Sequence, residues 1–299
     1  MSESVDNVSG LVRFKLDFAY DGTDFTGWAR QPGLRTVEGE LLAALTKIFG
    51  ESEYELNLTV AGRTDAGVHA RHQVAHFDLT PRQMKRMGRY AARDIIEGAI
   101  RDRINTIVDN DIRIFSCVFA HPDFNARYAA IYRRYRYRIA DGVSVKDPVE
   151  ARNTLWSRKP LDLIEMQATA LSLYGLHDFA AFCKPRNFGT TIRELREVTI
   201  TRRPDENRVV EIELTADAFC HNMVRSIVGA LLAVGEGRAT RADVVAKLKS
   251  GSRVGSYKVV NPRGLTLLEI GYPADEDLAA QVAKTQDTRR LEDPNDEEE

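Results

Sequence analysis

The chain has 299 residues, of which 43% are hydrophobic and 29% are charged, and these proportions are ordinary for a globular protein. No apolar run reaches the roughly 18 residues that a membrane-spanning helix needs, and the N-terminal residues lack the basic and then apolar order of a secretory signal. Cys117, Cys183 and Cys220 are too few and too scattered for a disulfide framework or a zinc knuckle. We therefore expect a protein of the reducing cytoplasm, without a membrane partner.

The net charge of −2 is unevenly distributed along the chain. Residues 274–299 carry ten acidic and three basic residues, whereas residues 10–273 carry 39 basic and 32 acidic residues, a net charge of +7. A basic body favours a polyanionic partner. We expect the acidic end to be a disordered, solvated tail, and its simplest interpretation is a solubilising extension.

The first half of the sequence begins with a strand at 11–20, where apolar and polar residues alternate. Turn residues follow, and apolar residues at helical spacing then predict a helix at 36–49, with Thr36 as its N-cap and Gly50 as its stop. The remaining predicted elements of this half are strands at 53–60 and 73–79, a helix at 82–104 and a strand at 111–120.

The second half repeats this order more loosely. Its predicted elements are a strand at 132–139, a helix at 161–174, strands at 195–203 and 208–216 joined by a turn, helices at 223–234 and 241–248, and a strand at 265–270. Two βαββ-type runs predict an α+β fold of two ferredoxin-like (RRM-like) halves that share an extended, mostly antiparallel sheet with helices on one face. We expect a flexible N-terminus at 1–10, an N-terminal half at 11–122, a C-terminal half at 123–273 and the acidic tail at 274–299.

A glycine-flanked segment at 61–67 lies between two predicted strands. Arg63 and Asp65 are two residues apart, so their side chains would leave an extended backbone on the same face. A guanidinium beside a carboxylate favours the ionised acid, which suits a nucleophile. The same spacing also fits a structural ion pair that only pins a loop.

The string GRTDAGVHA at 62–70 closely resembles the active-site signature of the tRNA pseudouridine synthase A family over nine consecutive positions. The chain departs from the family pattern at Ala29, at Asn125 and at Ile107-Val108-Asp109, where glutamine, histidine and Leu-Pro are usual. Other segments similar to the family lie at 20–28, 35–37, 124–128, 132–137, 218–229 and 262–267, so that the resemblance runs from about residue 14 to residue 273.

This resemblance implies an isomerase that converts uridine to pseudouridine in a cleft between the halves. It implies that Asp65 is the catalytic nucleophile and that Arg63 is its salt-bridge partner and helps to displace the target base. Tyr135 would stack on the flipped uracil, Arg225 would pair with the catalytic carboxylate from the other half, and Leu267 would form a wall of the pocket. It also implies a homodimer that binds the anticodon stem-loop of tRNA, with uridines at positions 38–40 as targets.

The reaction breaks the N1–C1′ bond and joins C5 to C1′, and nothing is oxidised. Because the sequence also has no nucleotide-binding loop and no metal-ligand cluster, we expect neither a cofactor nor a metal. Two other functions remain open: a tRNA-binding module or chaperone of the same fold, in which the carboxylate is only structural, and a nucleoside hydrolase that releases free uracil.

An arginine- and tyrosine-rich stretch covers residues 127–138. In a strand, Arg134, Arg136 and Arg138 would share one face and offer charge to phosphates, with Tyr135 and Tyr137 on the other face. An edge strand with its tyrosines in the core has the same pattern, so the place of Tyr137 stays open.

Several histidines and cysteines allow more than one interpretation. Three histidines have the spacing H-x2-H-x3-H, which on a helix could place them on one side to bind a metal. Residues 73–77, however, have the pattern of a strand, which does not fit a helix over this segment. Cys220 and His221 precede a helix and are expected to pack against it or cap it, and Cys183 is expected to be a small buried apolar residue. The three histidines are His69, His72 and His76.

Overall fold

A computed structural model describes residues 10–50, 55–87, 92–185, 189–255 and 257–287. Its strands are β1 (Val12–Tyr20), β2 (Thr59–Val60), β3 (His69–Leu79), β4 (Ile112–Phe119), β5 (Tyr132–Ala140), β6 (Leu155–Trp156), β7 (Gly175–Asp178), β8 (Ile192–Arg202), β9 (Val210–Ala216) and β10 (Leu265–Gly271). Its helices are α1 (Val37–Phe49), α2 (Pro81–Lys85), α3 (Arg93–Ile107), α4 (Leu163–Leu171), α5 (Met223–Gly235), α6 (Arg241–Lys249) and α7 (Leu278–Gln286). The fold is therefore α+β.

The strands form one large mixed sheet in the order β4-β1-β3-β10-β5-β9-β8-β7, with β2 beside β3 and β6 beside β5. Most neighbours are antiparallel, but β10 runs parallel to β3. The last strand of the sheet in chain order thus lies at its centre and joins the strands of the first half to those of the second. Leu267 is opposite Ala70 on one side and opposite Tyr135 on the other.

The local sequence explains the first elements. Along β1, Phe14, Leu16 and Phe18 are fully buried and alternate with partly exposed residues, as the period of a strand requires. Helix α1 begins after Thr36, whose side chain accepts a hydrogen bond from a backbone N–H of the first turn, and it ends before Gly50, which has a positive φ. The buried side chains of both halves form one continuous hydrophobic cluster.

Several elements differ from the sequence prediction. Of the strand expected at 53–60, only Thr59–Val60 is a strand, and residues 51–54 lie outside the described part. The single helix expected at 82–104 is replaced by α2, which ends at Lys85, and α3, which begins at Arg93; residues 88–91 between them lie outside the described part. Strand β3 begins earlier than expected, because its first residues pair with β10.

The acidic C-terminal segment is ordered in part, which corrects the expectation of a disordered tail from residue 274. Three acidic residues at 275–277 precede α7, where the helix dipole favours negative charge, and Lys284 lies in its last turn. Leu278 is buried and anchors the helix to the body. Residues 288–299, like residues 1–9, lie outside the described part. No helix among the described residues combines the length and the apolar character that crossing a bilayer takes.

Candidate active site

The segment between β2 and β3 forms a tight loop. Its backbone is fixed by a hydrogen bond within the loop and by another from a neighbouring segment. Within the loop, the N–H of Val68 donates to the carbonyl oxygen of Asp65 at 3.2 Å, and Gly67 has a φ of +76°. From outside, the N–H of Trp28 donates to the carbonyl oxygen of Thr64 at 3.0 Å. The loop therefore holds Asp65 on a defined backbone.

Gly27 lies against this loop. Its φ is +90°, and a Cβ atom added to it would stand 3.0 Å from the Thr64 carbonyl oxygen, 3.1 Å from the Ala66 nitrogen and 3.3 Å from the Asp65 carbonyl carbon. These separations are shorter than ordinary van der Waals contact. The backbone on either side of Asp65 is therefore packed against a position that only glycine fills without displacement.

Each oxygen of the Asp65 carboxylate lies beside a nitrogen atom of another side chain. Arg225 Nη1 donates to Oδ2 at 3.0 Å, and His221 Nε2 lies 3.2 Å from Oδ1. The Asp65 side chain is 32% exposed, so it is neither sealed in the core nor fully solvated. The pairing of Arg225 with Asp65 across the two halves matches the prediction, whereas the contact with His221 was not predicted.

Arg63 does not pair with Asp65. Its side chain is exposed, and among the residues that the structure describes it forms no hydrogen bond or ion pair. The expected salt bridge is therefore absent, because residues 61–68 form a loop and not the extended backbone on which alternate side chains share a face.

Arg225 is held in place independently of Asp65. It is the one residue of α5 that is not buried, in a helix that is otherwise almost entirely apolar. Its Nε donates to the backbone oxygen of Val260 at 2.8 Å, and its Nη1 lies 3.5 Å from Asn222 Oδ1. A guanidinium at the exposed edge of a buried helix, fixed at Nε, presents its remaining donors to Asp65 with little freedom.

Tyr135 and Leu267 are neighbours on adjacent central strands. They lie opposite each other on β5 and β10, and the Tyr135 ring makes an edge contact with Phe219, with centroids 5.2 Å apart. Burial raises the pKa of the Tyr135 phenol, so the group is neutral at physiological pH. Its hydroxyl lies near Gly62, three residues before Asp65. Leu267 is fully buried, so it packs beside Tyr135 and does not line an open surface here.

Buried polar side chains of β1 and β3 form hydrogen bonds to the loop. The Tyr20 hydroxyl lies 2.7 Å from Thr64 Oγ1, and Gln73 Nε2 donates to the Gly62 carbonyl oxygen at 2.8 Å. Burial raises the pKa of Tyr20 to about 12, and the phenol is therefore protonated at neutral pH. This network was not predicted, although Gln73, a fully buried polar residue on β3 that needs a hydrogen-bond partner, was its visible signal.

Arg133 ties β5 to the same loop. It is buried, and its Nη2 donates to the carbonyl oxygens of Ala61 at 3.1 Å and Arg127 at 2.8 Å, while its Nη1 donates to that of Asp217 at 2.8 Å. Burial lowers the pKa of this guanidinium. Three backbone segments are thus fixed by one cation, including the residue at which the loop begins.

Curated relatives match nearly the whole chain. A "tRNA pseudouridine synthase A" from Leifsonia xyli subsp. xyli is 45% identical over 94% of this chain and 98% of its own length. Proteins of the same name from Streptomyces avermitilis and Mycobacterium leprae are 46% and 41% identical, over 97% and 95% of this chain and 98% and 97% of their own. The chain belongs to the tRNA pseudouridine synthase A family. It is therefore a pseudouridine synthase, which is an isomerase.

A family model and a solved structure also match parts of the chain. The family model described as tRNA pseudouridine synthase matches residues 169–273, the part that carries His221, Arg225 and Leu267. A solved H/ACA ribonucleoprotein, bound to a substrate RNA containing 2′-deoxyuridine, aligns with 74% of this chain and 44% of its own at 11% identity. Its TM-score of 0.32 is too low to support an inference about this chain.

The arginine side of β5 does not present free charge in this member of the pseudouridine synthase family. Arg134 pairs with Glu269, Arg136 pairs with glutamates of β9, and Arg138 pairs with Glu150. The charge of these arginines, which the strand pattern offered to phosphates, is therefore paired with acidic side chains of the same chain. Tyr137 is fully buried, and its hydroxyl donates to a backbone oxygen, so it belongs to the core.

Cys183 and Cys220 form a disulfide bond, with Cα atoms 5.7 Å apart, within the normal range for such a bond. A disulfide framework was excluded from the sequence, and this single bond was not predicted. A separation of 37 residues hides their proximity, which arises because the residues after β7 pack against the start of α5. Cys117 is a free, buried thiol whose pKa is raised by burial.

The three histidines of the H-x2-H-x3-H spacing lie on β3 and have separate environments. His72 contacts Asp17, whereas His76 accepts a hydrogen bond from the backbone N–H of Ala126 at its Nδ1. His69 Nδ1 accepts one from the N–H of Gly22. Across the described ranges, no group of three histidine, cysteine or acidic side chains is placed to hold a metal ion.

Proposed function

We propose that this chain converts uridine to pseudouridine in the anticodon stem-loop of tRNA, and that the Asp65 carboxylate is the group that reacts. The observation that carries the proposal is the position of the Asp65 side chain and its contacts. It is a partly exposed carboxylate on a fixed loop, and each of its oxygens meets a nitrogen of the other half. The Arg225 guanidinium donates to one oxygen, and an imidazole nitrogen that can also donate lies 3.2 Å from the other.

The conversion of uridine to pseudouridine requires one reactive carboxylate. The N1–C1′ bond of uridine breaks, the base turns, C5 bonds to C1′, and the proton of C5 leaves. An ionised carboxylate serves whether it attacks C1′, removes a proton from C2′ or adds to the uracil ring. All three routes require Asp65 in contact with a nucleotide that has left the RNA stack.

Tyr135 is proposed to receive the extruded uracil. Stacking on an aromatic ring offsets about 1–3 kcal/mol of the cost of removing a base from its stack. The ring lies on the central strand, and its hydroxyl is near Gly62 in the loop that carries Asp65. Burial raises the pKa of Tyr135, so its phenol is protonated at neutral pH.

Cationic groups near the loop are proposed to contact the RNA backbone. Arg63 is exposed beside Asp65, and we propose that it displaces the target base or holds a neighbouring phosphate. Arg152 and Arg263 border a surface cavity of about 290 Å³ that also touches Gly67. These groups and the basic body predict binding that weakens steeply as salt concentration rises.

Three larger features belong to the same proposal. The chain is built of two ferredoxin-like halves with the active site in the cleft between them, which the contact of Asp65 with Arg225 supports. It forms a homodimer, as the resemblance of its sequence to the family implies, and a cytoplasmic location follows from a tRNA substrate. The modified uridines are those at positions 38–40, which mass spectrometry of tRNA after chemical tagging of pseudouridine locates.

The decisive experiment replaces the reactive group and keeps its shape. Asp65→Asn is expected to lower the rate of pseudouridine formation by at least about 10³-fold, because the amide is not a nucleophile, while tRNA affinity stays within about threefold. The rate is followed by tritium release from tRNA labelled at C5 of uridine, and affinity by filter binding. Asp102→Asn is the matched control, because the Asp102 side chain is 65% exposed on α3 and its carboxylate pairs with the neighbouring Arg101.

The outcomes separate the possible functions. Turnover by purified Asp65→Asn at the wild-type rate would reject Asp65 as the reactive group. A wild-type protein that binds tRNA without releasing tritium is a binding module, and one that releases free uracil is a hydrolase.

A further inference from the structure

We infer that His221 is a positioning residue for Asp65. Its imidazole fixes one carboxylate oxygen while Arg225 fixes the other, and the two contacts together set the plane of the carboxylate. The inference rests on the proposed function, since a positioned carboxylate matters to turnover only if Asp65 is the group that reacts.

The geometry explains why two partners are needed. A carboxylate held at one oxygen can still pivot about that oxygen, through coupled changes of χ1 and χ2, and move the other oxygen. Here Arg225 Nη1 is 3.0 Å from Oδ2 and His221 Nε2 is 3.2 Å from Oδ1, so both oxygens are fixed. Reactive geometry tolerates little displacement, because a misplacement of 1 Å can lower a rate about 10²-fold.

The backbone of His221 is itself tightly held. Its carbonyl oxygen accepts a hydrogen bond from the N–H of Lys184 at 2.8 Å, and Cys220 is joined covalently to Cys183. The next residue, Asn222, adopts a left-handed conformation with a φ of +68° directly before α5. The turn that carries His221 is therefore fixed on both sides, and its imidazole can act as a rigid support for Asp65.

The contact depends on Nε2 and not on the charge of the ring. To donate to a carboxylate, Nε2 must carry a proton, and both the neutral Nε2–H tautomer and the imidazolium do so. An amide side chain can replace this donor, but only at the right reach. The amide nitrogen of glutamine falls near the position of Nε2, whereas that of asparagine falls near the position of Nδ1.

Three variants of His221 test the inference by single-turnover and steady-state tritium release. His221→Ala and His221→Asn are expected to lower kcat about tenfold, the effect of losing one hydrogen bond to a charged group at a partly exposed site. His221→Gln is expected to keep at least half of the wild-type kcat. KM for tRNA is expected to stay within about twofold in all three, because His221 acts through Asp65 and not on the RNA.

The control is His121→Ala, which removes an exposed imidazole that lies beside Asp123 and is expected to change neither kcat nor KM. A wild-type kcat in His221→Ala overturns the inference. So does the reverse order, in which asparagine preserves kcat and glutamine does not, since that order marks a structural role for Nδ1. If the alanine variant does not fold, the glutamine and asparagine variants decide the question.

The same assay separates this inference from the proposed function. If Asp65→Asn is inactive while all His221 variants are fully active, only the positioning role fails. If Asp65→Asn remains active, the assignment of Asp65 as the reactive group fails, whatever the His221 variants do.

Discussion

Gly27 allows the position of the Asp65 loop to be tested without altering any polar group. Its φ of +90° and the three short distances from an added Cβ to the backbone of residues 64–66 give Gly27→Ala two separate costs. A left-handed conformation costs a residue with a Cβ about 1–2 kcal/mol, and overpacking adds about 1–3 kcal/mol. We therefore expect a loss of about 3 kcal/mol in the free energy of unfolding.

The effect on activity follows from how the strain is relieved. The nearest atoms belong to the backbone, so the new methyl group pushes the loop by a few tenths of an ångström and does not merely turn a flexible side chain aside. A shift of that size moves Asp65 relative to its two partners and is expected to lower kcat about tenfold. tRNA affinity is expected to stay within about threefold.

Gly33 provides the matched control. Its φ is +72°, but a Cβ atom there would meet nothing within 4 Å. Gly33→Ala is therefore expected to lose only the conformational part, about 1 kcal/mol, and to keep the wild-type kcat. Urea unfolding and single-turnover tritium release measure both quantities. Equal stability and equal activity of the two variants would refute the claim that the Gly27 contact holds the loop.

Two further predictions concern a buried histidine and the three cysteines. Desolvation lowers the pKa of His76 to about 4 in the folded protein. As the pH falls from about 6.5 to 4, the imidazole is therefore protonated in the unfolded chain but stays neutral in the folded one. The free energy of unfolding is expected to fall by about 3 kcal/mol over this range. Urea unfolding at pH 7 and pH 4.5 measures this loss, and His76→Asn, which keeps an acceptor but does not titrate, should lose correspondingly less; equal losses would contradict the reasoning. In denaturant without reductant, thiol titration should find only Cys117, and after reduction it should also find Cys183 and Cys220; three thiols before reduction would show that the disulfide is absent in the purified protein.

The regular parts of the fold could be predicted because their signals are local. Strand β1 alternates over its whole length, and α1 carries both its cap and its stop in the sequence. Strand β7 has no such signal, because its four residues are a strand only through pairing with β8. Helix α7 was not predicted, because the high acidic content of this segment indicated a solvated tail. Two signals were therefore overlooked: Leu278, which anchors the helix, and the acidic residues at 275–277, which suit a helix N-terminus.

The candidate site was predictable only where residues recur as a family pattern. Asp65 and Arg225 are 160 residues apart, and only the resemblance brought them together before the structure did. The error on Arg63 came from applying strand geometry to a loop. The contact of His221 with Asp65 could not be derived, because it depends on the fold bringing the start of α5 to the loop before β3.

The most direct test of the central claim is a crystal structure of Asp65→Asn bound to the anticodon stem-loop of a substrate tRNA. The account predicts one uridine turned out of the stack, its base against Tyr135 and its ribose in contact with the side chain at position 65. It also predicts that Arg225 and His221 stay beside that side chain. A target ribose that lies away from position 65, with the uracil bound elsewhere on the surface, would contradict it.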